Sequence, residues 1–173
     1  GAAYAEVAFT TSLQIVGKPS YMTYYNGSLW IGENSEAYSK PLYGYVVGNK
    51  TGVPTLTKSY RIAMMNRVQG VCFDKDGTML VSRSNNITSS YTCYISQIRA
   101  YKPKWASVSS KGNVKKGKVV KVTTMPPMTE GIIIKGTYTY LNFESASFAE
   151  CIYPVDRVIA FKTTNFTVKA KKK

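Results

Sequence analysis

The chain repeats itself. Three times along its 173 residues the same phrase returns: an apolar strand, a tight turn, a second strand, a polar stretch and a last strand. The copies run over 20–33 then 42–47, 69–84 then 94–101, and 130–145 then 156–161. Self-similarity at a period of tens of residues constrains architecture more than any single residue does. Asn26-Gly27 and Asp76-Gly77 supply the hairpin turns, because both residue types tolerate positive φ, and Gly136 takes the equivalent place in the third copy. Gln69-Gly70 aligns with Glu130-Gly131, and Arg83-Ser84 with Glu144-Ser145. A further strand-like segment precedes each copy, at 12–16, 60–65 and 119–125. The expected organisation is one all-β domain with units at 12–50, 60–102 and 119–163, followed by a basic tail at 164–173.

Four strands per unit is the number in a propeller blade. The fold expected is therefore three four-stranded antiparallel blades of a β-propeller, with a β-sandwich as the alternative. The recurring order of Gly, apolar strand, Gly turn, strand ending in Ser, polar loop and strand ending aromatic-Lys resembles six-bladed propellers. The group it resembles includes gluconolactonase-like, NHL-repeat and strictosidine-synthase-like proteins, and the resemblance covers about residues 12 to 163. Propellers have about 4 to 8 blades. Three blades imply half of a six-bladed ring, completed by the rest of a longer chain or by a second copy. No leader is evident at Gly1, so a mature or truncated chain is expected, in a secreted or cell-surface setting.

Composition narrows the chemistry. The chain has no His, which removes Ser-His-Asp and Cys-His catalysis and most zinc sites. Its three cysteines, Cys72, Cys93 and Cys151, are odd in number and widely spaced, so neither a disulfide framework nor a metal motif is expected, and Cys72 falls at an apolar strand position. No run approaches the ~20 apolar residues of a membrane-spanning helix. Net charge is +14, and of 23 basic residues only Arg61, Arg67, Arg83, Arg99 and Arg157 are arginines. Lysine attracts anions diffusely, whereas arginine gives planar, bidentate contacts. The longest polar stretch, 102–118, holds Lys102, Lys104, Lys111, Lys115, Lys116 and Lys118 with no acid, and reads either as an anion-binding loop or as an extended, self-repelling connection. Trp105 within it is expected to pack on a neighbouring unit. Gly52 and Pro54 mark 50–58 as a loop, and Pro126-Pro127 marks a strand end.

The repeat predicts which residues share a rim. Glu33, Arg83 and Glu144 end the second strand of their units, Gln69 and Glu130 precede the first strand with Pro19 as the third member, and Ser84 and Ser145 are adjacent. Glu33, Glu130 and Glu144, with Gln69, form a candidate site for a polar ligand or for a hard divalent cation such as calcium. The propeller resemblance implies, for such a site, a metal-dependent lactonase-like hydrolase. The alternative is an ion pair of Arg83 with Glu33 or Glu144 that ties units together. Asp74 and Asp76 sit in Asp-Lys-Asp-Gly, an ordinary turn sequence that also resembles the start of a calcium loop. The expected function is a binding or scaffold module without catalysis. The two alternatives are the hydrolase and a basic surface protein that engages an anionic polymer.

Overall fold

A computed structural model describes residues 15, 17–85, 95–147, 151 and 154–168. The protein is all-β, with three separate antiparallel sheets. The first sheet has the order β1 (Tyr21–Tyr25), β2 (Ser28–Gly32), β3 (Leu42–Lys50), β4 (Val53–Ile62), β8 (Trp105–Ser107). The second runs β5 (Val68–Phe73), β6 (Met79–Asn85), β7 (Ile95–Lys102), β9 (Lys118–Met125). The third runs β10 (Thr129–Lys135), β11 (Tyr138–Phe143), β12 (Ile159–Lys162).

The sheets thus have five, four and three strands among the described residues, where four each was expected. Two segments assigned to the start of a unit instead close the sheet before it. Residues 60–62 are the end of β4 beside β3, and 119–125 lie in β9 beside β7. Hairpin adjacency explains the first, since β4 pairs with the strand just laid down; β9 instead returns to β7 after β8 has joined the first sheet. The segment 12–16 lies, apart from Ile15, outside the described residues. Residues 50–58 are not a loop. Thr51 and Gly52, at φ 53° and 84°, make a two-residue turn, Asn49 Oδ1 accepts from Gly52 N, and β4 starts at Val53. The polar stretch is not a free hairpin either, because Trp105, Ala106 and Ser107 pair with β4 as the fifth strand of the first sheet.

The turns follow their chemistry. Asn26 and Gly27 both take positive φ. Asp76 accepts from Thr78 N and Oγ1, and Asp74 accepts from Lys75 N, so these carboxylates serve the turn.

Two cores lie between three sheets. The first packs Tyr21, Trp30, Leu42 and Ile62 against Val71, Met79, Val81 and Tyr101. The second packs Cys72, Leu80, Ile98 and Met125 against Ile132, Leu141 and Phe166. Alternation along β6 is the cause: Met79 and Val81 face the first sheet, and Leu80 faces the third. The leading strands β1, β5 and β10 pack side by side in sequence. Phe166, 1% exposed, anchors the chain after β12, so 164–168 is not a solvated tail, and 169–173 lies outside the described residues. Cys72 is a buried free thiol. Cys151 is disulfide-bonded, contrary to the expectation from an odd cysteine count, and its partner lies outside the described residues.

Candidate functional site

The site is built on two β-bulges. In β5 the register shifts between Val68 and Gly70, and in β10 between Thr129 and Ile132. Each bulge follows a non-glycine residue in the left-handed region, Arg67 at φ 58° and Met128 at φ 59°. In both, the carbonyl of that residue accepts from the returning strand's end: Ser84 N to Arg67 O at 3.1 Å, and Glu144 N to Met128 O at 2.9 Å. Gln69-Gly70 and Glu130-Gly131 are thus equivalent, as the repeat predicted. A bulge leaves its extra residue out of the ladder and re-aims it, and Gln69 and Glu130 are the residues set free in this way.

The second pair of equivalences is off by one. Val68 pairs with Arg83 and Thr129 with Phe143, so Glu144 corresponds to Ser84 and not to Arg83. A one-residue shift reverses the face of every side chain. The same reversal applies in the first sheet. Glu33 pairs with Lys40 at 3.5 Å, while its neighbour Asn34 donates Nδ2 to Gln69 Oε1 at 3.0 Å and ties the first sheet to the second. Pro19 lies on the Glu33 side. Arg83 pairs with neither expected glutamate: its Nε donates to Asn66 O and its Nη2 to Asn66 Oδ1.

Asn34, Glu36, Arg67, Gln69 and Ser84 line one small depression, in which Asn34 Oδ1 is enclosed without a hydrogen-bond partner. Beside it, buried hydroxyls bridge the second and third sheets. Ser82 Oγ donates to Thr129 O at 2.8 Å, Ser96 Oγ accepts from Thr129 N at 2.8 Å, and Ser84 and Ser96 meet at 3.3 Å. Ser145 is buried and its Oγ accepts from Val155 N, a structural use rather than an open one.

Glu130 and Glu144 come together. Burial, and then the Glu144 carboxylate beside it, push the Glu130 carboxyl up to about 7. Its Oε1 is enclosed without a partner. Glu33 does not join them, and among the described residues no three His, Cys, Asp or Glu side chains gather as a metal-binding set. The three carboxylates expected to gather are divided, with Glu33 on Lys40 and Glu130 beside Glu144.

The polar stretch is pinned at its middle and at its return. Arg61 Nη2 donates to Ser110 O and Gly112 O, at 2.7 and 2.8 Å. Tyr101 Oη donates to Ala63 O and accepts from Gly117 N. Lys102, Lys104, Lys111, Lys115, Lys116 and Lys118 are all exposed, and none forms an ion pair among the described residues.

Sequence reasoning missed Asn34, Arg67, Ser96 and Thr129. The signal for Asn34 was its place next to Glu33, where strand alternation made either residue a candidate for the rim. No family model, curated protein or solved structure matches this chain.

Proposed function

We propose that the protein is a binding or scaffold module built as a three-blade arc of a β-propeller, with its ligand at the rim where Asn34, Gln69 and Glu130 lie. One observation carries this reading: the leading strands β1, β5 and β10 pack side by side, one from each sheet. Repeated sheets packed through their first strands make blades around an axis. The disulfide at Cys151 favours an oxidising, secreted or cell-surface setting.

An arc leaves an apolar face at each end. Met22 and Tyr24 on β1 are 61% and 64% exposed, and Ile133 on β10 is 61% exposed. Further blades, from a longer chain or a second copy, are the partners that would cover them. Light scattering of the isolated chain tests this: association to twice the 19.2 kDa chain mass or more is expected, and a monomer at all concentrations overturns the arc.

A second reading, metal-dependent hydrolysis, has the Glu130–Glu144 pair in its favour. Two carboxylates fall short of a calcium set. An unchanged melting temperature on millimolar calcium titration removes this reading. A third, engagement of an anionic polymer, rests on the pinned lysine stretch.

A further inference from the structure

We propose that Arg67 and Arg99, with Arg83 beside them, form a binding site for a tetrahedral oxyanion, a phosphate or a sulfate, where the 63–67 connection from the first sheet crosses the second sheet. The proposal is independent of which blades or partners complete the molecule.

Three of the chain's five arginines come within electrostatic reach of one another here, although 16 positions separate each from the next in sequence. The register brings two of them together. Arg83 on β6 lies opposite Gln97 on β7, and Arg99 is two residues further along the same face. Diagonal neighbours of this kind are about 7–8 Å apart at the backbone, within the combined reach of two guanidiniums. The connection from the first sheet then crosses over them: Arg83 holds Asn66, and Arg99 Nη1 approaches Met65 Sδ at 4.0 Å. Arg67 follows directly. It is held by its own backbone, with N donating to Ser35 O and O accepting from Ser84 N.

The donors are set and partly spare. Arg99 commits Nε and Nη2 to Gln97 Oε1, at 3.1 and 2.9 Å, which orients the guanidinium plane. Arg67 uses Nε on Glu36 O at 3.5 Å, and its two Nη groups bond nothing among the described residues. Neither Arg67 nor Arg99 forms an ion pair among the described residues. Burial and then the charges of Arg99 and Arg67 press on the Arg83 guanidinium and lower its pKa, as expected where like charges crowd in a half-buried place. An oxyanion accepts the spare N–H groups of Arg67 and Arg99 at once, the geometry in which arginine outperforms lysine.

The test uses the whole chain. Arginines are modified with a dicarbonyl reagent and mapped by mass spectrometry, with sodium sulfate or sodium phosphate in the low millimolar range and ionic strength held constant with sodium chloride. Arg67 and Arg99 are expected to be protected at least fivefold, and exposed Arg157 not at all. Protection by one anion alone assigns a sulfate-ester or a phosphate source, and protection by both assigns the shared oxyanion shape. In parallel, R99Q and R67Q are expected to weaken a saturable anion-induced rise in Tm at least tenfold in concentration. Absence of both protection and a saturable rise in the wild-type chain overturns the proposal, whether or not the variants fold.

Discussion

Gly70 shows how little room the inter-sheet contact leaves. A Cβ placed on it would lie 2.6 Å from the Glu130 backbone oxygen, an atom that a rotamer change does not move. Gly70→Ala must push β5 away from β10, at a cost of about 1–3 kcal/mol, which urea unfolding followed by fluorescence will report. Neighbouring Glu130 makes the opposite kind of prediction, one that depends on pH. Its folded pKa, about 7, stands above the unfolded value near 4.5. The folded state therefore binds the proton more tightly between those limits, and stability falls as pH rises through that window. Below it the group costs nothing, and above it the whole penalty is present, softened because Glu130 is only half-buried. Glu130→Gln keeps the shape and removes the charge. The variant is expected to match the wild type in Tm at pH 4.5 and to exceed it by a few degrees at pH 8. Equal melting temperatures at both would mean that Glu130 is solvated.

Among the elements, the short strand β8 departs furthest from a regular sheet repeat. Three residues joined to β4 hold it only weakly by backbone pairing, so its side chain must supply the rest. Trp105 does so by packing against Tyr25, Trp30, Tyr60 and Phe73, with ring centroids 5.0 to 6.3 Å away. Those rings come from both the first and second sheets, so Trp105 closes one end of their shared core. Trp105→Ala is expected to cost about 2–3 kcal/mol, below the 3–5 of a fully buried aromatic because Trp105 keeps 39% of its surface exposed. Near-UV circular dichroism should lose much of its tryptophan signal while far-UV strand content stays. The packing of Trp105 on a neighbouring unit was legible in the sequence, since a Trp in a lysine-rich connection has no other use. Its pairing with β4 was not, because alternation over three residues carries no partner information. The repeat likewise gave the Gln69-Gly70 and Glu130-Gly131 equivalence, since the glycines fall at the bulges. It misplaced Arg83 against Glu144 because the bulged strands and the 74–78 turn change the residue count without changing the apolar pattern. Side-chain direction flips with each such change, so residues aligned by the repeat can differ by one position from those the ladder makes equivalent. The disulfide at Cys151 left no local signal at all.

For the whole molecule the dominant quantity is charge. A net +14 on 173 residues sets a positive overall field, and a field alone attracts any polyanion. What distinguishes a binding surface is cations held in fixed relation to one another. Arg61 and Tyr101 hold the lysine stretch in that way, fastening its far side and its return to the end of β4. Six exposed lysines and no acid then lie on one ordered excursion. Each lysine that touches a polyanion contributes about 0.7 to 0.9 to the slope of log affinity against log salt. Replacing all six by Gln should lower that slope by about 4 to 5 if the stretch is the contact surface, against immobilised dextran sulfate or polyphosphate. Arg61→Ala offers the sharper comparison, because it removes only one positive charge yet frees the stretch from Ser110 and Gly112. If order matters, Arg61→Ala weakens binding by more than the tenfold or so that one lost contact explains, with the salt slope nearly unchanged. If only the diffuse field matters, Arg61→Ala behaves like any single lysine replacement and the six-fold variant loses no more than its share of the total charge.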